Sequence, residues 1–230
     1  MLSLKKIQSV FMKLIFSILF LLLAPTTLYS KEVEIKYIVK TKGIKLGELV
    51  WSLKISENYY KTEIMLKDKG LLSHIYGFDG VYSSAGVVYN DILIPTKYKQ
   101  YWKTKKGTKN VLIDFVGIEV KKITLSPKEV ELPRVKYQGL KNYNDPISAF
   151  LNILINNYSF NTIDGRRIYL LELSKIKKNK KILIKNFKNI WADHKRNDLE
   201  YLEVYEEANQ VLPTKINIKF KNSIFSLIKN

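Results

Sequence analysis

Two guanidinium groups stand side by side at Arg166 and Arg167, directly after Asp164-Gly165. At the tip of a hairpin such a pair can hold a carboxylate or a phosphate through parallel N–H donors. The same residues also admit a structural role, with one arginine paired to Asp164 or Asp145 and the other lying along a sheet. Other reactive side chains are sparse. The 2 histidines, His74 and His194, have no second imidazole or carboxylate at metal-binding spacing, which suits surface or rim positions. Ser148 lacks a G-x-S-x-G setting and falls in the first turn of an expected helix, where its hydroxyl supports the helix start. Glu203, Glu206 and Glu207 form an acidic run that reads as a solvated face, and spacing alone assigns no glycosidase pair. No glycine-rich phosphate loop is present. The chain has no cysteine, which removes disulfides, thiolate nucleophiles and cysteine-bound metals together. The expectation is a protein without catalytic residues, cofactor or metal.

The element that must position the arginines is the stretch before them, DPISAFLNILINNYSFNTIDGRR. Asp145 can accept from the first free helix N–H groups, and Pro146 suits the first helical position because its missing donor costs nothing there. Ile147, Phe150, Leu151 and Leu154 recur at steps of three and four, so the spacing predicts an amphipathic helix with a stripe to bury. Asp164-Gly165 then predicts a hairpin between strands at 158–163 and 167–173.

Nearly everything else reads as strand. Val33, Ile35, Tyr37 and Val39 alternate with Glu32, Glu34, Lys36 and Lys40, and Leu49, Trp51, Leu53 and Ile55 share one face of a second strand after a turn at Gly43. Further strands are expected over 60–66, 81–83, 95–103, 109–115, 118–125 and 182–192, with a tight turn at Asp79-Gly80. The stretch 126–139, with Pro127 and Pro133, reads as an extended loop. Leu199 to Glu207 fits a strand better than a helix, because its neighbours need a short return. Residues 212–220 and 225–228 make a final hairpin. Some ten strands curl rather than stay flat. The predicted fold is mainly β: a strongly curved or barrel-like antiparallel sheet with one central helix packed on it or plugging one end.

Composition bounds the setting. Residues 1–30 have the form of a secretory signal: Lys5, Lys6 and Lys13, an apolar run from Leu14 to Ala24, then a short polar exit. That run is shorter than the roughly 20 residues that span a bilayer. Cleavage is expected after Ser30, with an uncleaved N-terminal anchor as the alternative, leaving 31–230 as one exported β-rich domain. The formal charge is +18, yet of 39 basic residues only Arg134, Arg166, Arg167 and Arg196 are arginine. The lysine excess fits compositional drift, or a basic surface making peripheral contact with anionic head groups. Lysine is a poor bidentate reader of bases, and an exported protein does not meet nucleic acid. Trp51, Trp102, Trp191 and 15 tyrosines serve either as barrel packing or as the lining of an apolar cavity.

GIKLGEL (43–49), KGLL (69–72), PTKY (95–98), DPISA (145–149), DGRR (164–167), Trp191 and LPTKI (212–216), in that order, resemble the domain of unknown function 3108 family of exported bacterial proteins. The resemblance covers most of the chain after residue 30, and its most specific pieces are DPISA and DGRR at their mutual spacing. It implies a Gram-negative cell envelope protein with a barrel-like antiparallel fold, and it implies no reaction or ligand. A departure is the last turn, KNSIF, where a glycine is expected and Asn222 would have to take the positive φ.

These readings lead to a non-enzymatic periplasmic protein that binds an apolar or amphiphilic envelope molecule, a lipid or glycolipid, or assists envelope assembly. Leu71, Leu72 and Trp102 are placed at the cavity mouth, and Arg166 and Arg167 at its polar end. The rival is an interaction module presenting a sheet edge or rim to an envelope protein partner. A hydrolase would require His74 or His194 in a cleft beside two carboxylates.

Overall fold

The computed structural model describes residues 30–68, 77–175, 179–191, 198–208 and 210–230. The expected signal up to Tyr29, and Leu71, Leu72, His74 and His194, lie outside the described residues. The chain forms β1 (Ser30–Thr41), β2 (Ile44–Ser56), β3 (Tyr59–Asp68), β4 (Asp79–Tyr89), β5 (Ile92–Thr104), β6 (Gly107–Val116) and β7 (Glu119–Ser126). A strap over 127–142 leads to β8 (Tyr143–Asn144), the helix α1 (Pro146–Asn156), β9 (Phe160–Ile163), β10 (Arg167–Lys175), β11 (Lys180–Asn189), β12 (Leu199–Tyr205), β13 (Lys215–Phe220) and β14 (Ser223–Lys229).

Among the described residues all 14 strands belong to one sheet, in the order β7-β6-β5-β4-β3-β2-β1-β14-β13-β12-β11-β10-β9-β8. Every pairing is antiparallel except the short β8–β9 contact. The sheet curls into a nearly closed barrel. Its two edges meet where the end of the strap crosses β7: Glu119 bridges Lys141, Val120 donates to the Leu140 carbonyl, and Gly139 donates to Val120.

Period two decides what faces in. Ile35, Tyr37 and Val39 on β1, Leu49, Trp51 and Leu53 on β2, and Val111, Ile113 and Phe115 on β6 are all buried. Each such aliphatic or aromatic side chain contributes about 1.5–3 kcal/mol by leaving water. The intervening residues Glu34, Lys36, Lys61, Lys97 and Lys99 are exposed on the outer face. This apolar-in, charged-out alternation is the reverse of a lipid-facing barrel wall. Among the described residues no helix is long and apolar enough to cross a membrane.

The helix plugs one end of the interior. Asp145 caps it, accepting from the backbone N–H of Ile147 at 2.9 Å and of Ser148 at 3.1 Å. Asn157 closes it in the left-handed conformation, φ 59°. Residues Ile147 to Leu154 are buried without exception, so in place of the expected stripe the helix is buried on every face up to Leu154, and Ile155 is exposed. Of its two buried polar members, Ser148 is satisfied by the cap Asp145 and Asn152 by the barrel wall. Asn152 donates to the Leu93 carbonyl and accepts from the Leu93 N–H, filling β5 beyond the last residue paired with β6. The carboxylate of Asp145 also accepts from Ser148 Oγ at 2.7 Å and from Ser84 Oγ at 2.6 Å. Since the Ser84 proton goes to Asp145, Tyr60 must donate to Ser84 Oγ across 3.0 Å.

Three expectations are corrected. Asp79-Gly80 opens β4 rather than turning, and the turn lies at Asn90-Asp91, both with positive φ. The strand expected over 109–115 starts earlier, at Gly107, because the β5–β6 turn is at Lys105-Lys106. In the last hairpin Lys221, not Asn222, has the positive φ of 50°. Leu199 to Tyr205 is a strand, as expected.

Candidate functional site

Among the described residues, the end of the barrel away from the helix is not filled. The turns β5–β6 and β9–β10 and the start of the strap surround a cavity of about 750 Å³ there. Strand β5 sends Tyr98, Gln100 and Trp102 to the inner side at every second position. Tyr98 is buried below, while Gln100 and Trp102 line the cavity. Tyr101 lies on the alternate face, which separates the aromatics without a bulge at that point. The bulge falls earlier, where Ala85 pairs Lys97 and Gly86 pairs Pro95. Trp102 is 37% exposed and meets Phe78 edge-on at 5.2 Å.

The opposite wall is Asp164-Gly165-Arg166-Arg167. Asp164 Oδ1 accepts from the N–H groups of Arg166 at 2.8 Å and Arg167 at 2.7 Å, which fixes the turn. Gly165 is required: its φ is +90°, and a Cβ there would lie 2.4 Å from Val111 Cγ1. The turn is held from behind by Trp191 Nε1, donating to the Gly165 carbonyl, and by Ile190 N–H, donating to the Arg166 carbonyl. Arg166 forms an ion pair with Glu129 of the strap. Arg167 Nη1 lies 3.5 Å from Asp164 Oδ2, and its guanidinium carbon sits 6.0 Å from the Phe187 ring centre. Its Nε is buried and, among the described residues, has no hydrogen-bond partner. Thus Asp164 does pair with an arginine, while the other arginine pairs with Glu129 rather than Asp145.

Electrostatics follows from this placement. Burial pushes the Asp164 carboxyl upward from its ordinary value, while the Arg167 charge and the two backbone donors oppose the shift. Asp145 is likewise raised by burial, against the hydrogen bonds it accepts from Ser148 and Ser84. The Tyr98 phenol, between these two acids, is raised well above its usual value by burial first and by Asp145 next. The inner tyrosines are therefore neutral at physiological pH.

The structure brings Trp102, Arg166 and Arg167 to one cavity. Sequence reasoning missed Gln100, Lys106, Lys109 and Asp164 as lining residues. Lys109 was legible: it continues the inward series of Val111, Ile113 and Phe115, and a cation at the end of such a series marks a rim. Lys106, in a turn, carried no such signal. Among the described residues, Lys106, Lys109, Arg166 and Arg167 line the cavity with Asp164, Arg166 being paired with Glu129 and Arg167 facing Asp164, beside apolar walls from Trp102, Val111 and Pro127. That lining suits an anion with an apolar portion. Ser148 is fully buried and hydrogen-bonded to Asp145, with no route to solvent for a nucleophile. Among the described residues no group of three side chains can hold a metal ion.

No protein-family profile, no curated protein and no solved structure matches the chain.

Proposed function

We propose that the protein is a non-enzymatic binding protein of the bacterial envelope, taking the anionic head of an amphiphile into the open end of its barrel. The observation that carries this reading is the cavity of about 750 Å³ lined by Trp102, Val111 and Pro127 and by Lys106, Lys109, Arg166 and Arg167 with Asp164. The volume falls in the range of about 300–1,000 Å³ typical of small-ligand sites. The signal-like residues 1–30 and the resemblance to the unknown-function family support an exported, periplasmic setting.

Native mass spectrometry with lipid extraction, on protein purified from the periplasm of an expressing Gram-negative cell, tests this. A stoichiometric lipid or glycolipid, lost in Trp102→Ala, is the expected result. A clean apo mass, together with no heat of binding to dihexanoyl phosphatidic acid, would sink it. The rival reading, a rim presented to an envelope protein, draws on the exposed apolar residues beside the cavity and would then be pursued by crosslinking.

A further inference from the structure

We propose that the tip of the strap, Lys128 to Leu132, inserts into an anionic lipid surface and holds the cavity mouth against it. The inference deepens the binding reading above by naming the surface from which an amphiphile would enter, and it rests on that reading only for its purpose.

Val130 and Leu132 are 99% and 87% exposed, the highest values among the described large apolar residues. Among the described residues nothing covers them, yet the tip is not loose. The Glu129 side chain is tied to Arg166, and the Arg134 N–H donates to the Ile190 carbonyl at 2.7 Å. Between these two fixed points the backbone holds both side chains outward. Pro133 follows directly and stiffens the exit.

Charge complementarity selects the occupant. Val130 shares a hollow of about 300 Å³ with Lys109, Lys128 and Arg166 and with Glu129 and Glu131, and that hollow adjoins the main cavity through Lys109 and Arg166. Glu129 is paired with Arg166, which sets the exposed Lys109 and Lys128 against the exposed Glu131. Two apolar side chains on a narrow tip, beside two exposed lysines, match shallow insertion beneath anionic head groups. A protein interface would instead centre on aromatic or arginine anchors and be depleted of lysine.

Because the chain has no cysteine, Val130→Cys supplies a sole thiol for an environment-sensitive nitrobenzoxadiazole label. Glu57→Cys, exposed in the turn at the opposite end of the barrel, is the control. The probe surface is phosphatidylcholine vesicles with about one-third phosphatidylglycerol, against phosphatidylcholine alone. The expected result is a blue shift and several-fold brightening at position 130 with anionic vesicles only, reduced by Lys128→Glu, with no response at position 57. Unchanged emission at 130, an equal response at both positions, or an equal response to neutral vesicles would overturn the proposal. Val130→Asp with Leu132→Asp should cut vesicle partitioning at least ten-fold and leave binding of dihexanoyl phosphatidic acid intact. Should the wild-type tip insert while that soluble amphiphile fails to bind, the ligand reading falls and the docking surface stands.

Discussion

Asp145 and Asp164 perform the same local task at the two ends of one interior. Each uses a single carboxylate oxygen to accept from the backbone N–H groups two and three residues ahead. Asp145 starts the helix that seals the barrel, and its other oxygen is filled by hydroxyls from Ser84 and Ser148. Asp164 starts the hairpin at the mouth, and its other oxygen faces the Arg167 guanidinium. Neutral donors give a finished, water-free contact at the closed end. Charged partners at the open end leave Arg167 Nε without a hydrogen-bond partner among the described residues.

The largest effect should separate the two acids. Asp145→Ala removes a helix cap and strands the buried Ser84 and Ser148 hydroxyls, for a loss of about 4 kcal/mol in urea unfolding. Asp164→Ala should cost about 1–2 kcal/mol, because water can reach the donors it leaves. Equal losses would show that the mouth is as sealed as the plug. Next, Gly165→Ala should destabilise by about 2 kcal/mol through the Val111 clash and the positive φ. Adding Val111→Ala should recover part of that loss, and strict additivity of the two would remove the clash as its cause.

A smaller effect sharpens the open end. Arg167→Lys keeps the charge and loses the fork, so affinity for dihexanoyl phosphatidic acid should fall about ten-fold by calorimetry, with stability nearly unchanged. The smallest is a pH effect. Both acids are raised by burial, so between the ordinary carboxylate value and the raised one the folded state holds more protons than the unfolded. Stability therefore rises as pH falls from neutral into that window. Affinity for octyl sulfonate, whose charge does not titrate there, should rise in parallel. Asp164→Asn should abolish the rise in affinity and leave the share of the stability change owed to Asp145.

The helix was legible because capping is local: Asp145 and Pro146 announce it within two residues. Its surroundings were not. The spacing of Ile147, Phe150, Leu151 and Leu154 left Ser148 and Asn152 for a solvent face, whereas a wall that closes around the helix buries both. Strand β4 was cut to 81–83 because its buried positions are Gly80, Ser84 and Gly86, small residues that send no hydrophobic signal. Their smallness has causes across the sheet. A Cβ on Gly86 would meet the Ile94 carbonyl oxygen at 2.0 Å, and the Ser84 hydroxyl is needed by Asp145. Trp102 and the arginines were each conspicuous in the sequence. Their meeting in one cavity depends on curvature that no local spacing encodes.

The wall consists of two runs of sequential neighbours, β1 to β7 and β8 to β14, fused where β1 pairs with β14 and Tyr37 stands opposite Lys229. During synthesis the first strand is made long before its partner, and it spends that interval as an open edge with Val33, Ile35, Tyr37 and Val39 on one side. Closing so long a loop makes that pairing the slow step of assembly. A chain lacking β14 would keep this edge permanently, as a template for a second copy. The last strand thus protects the first from self-association.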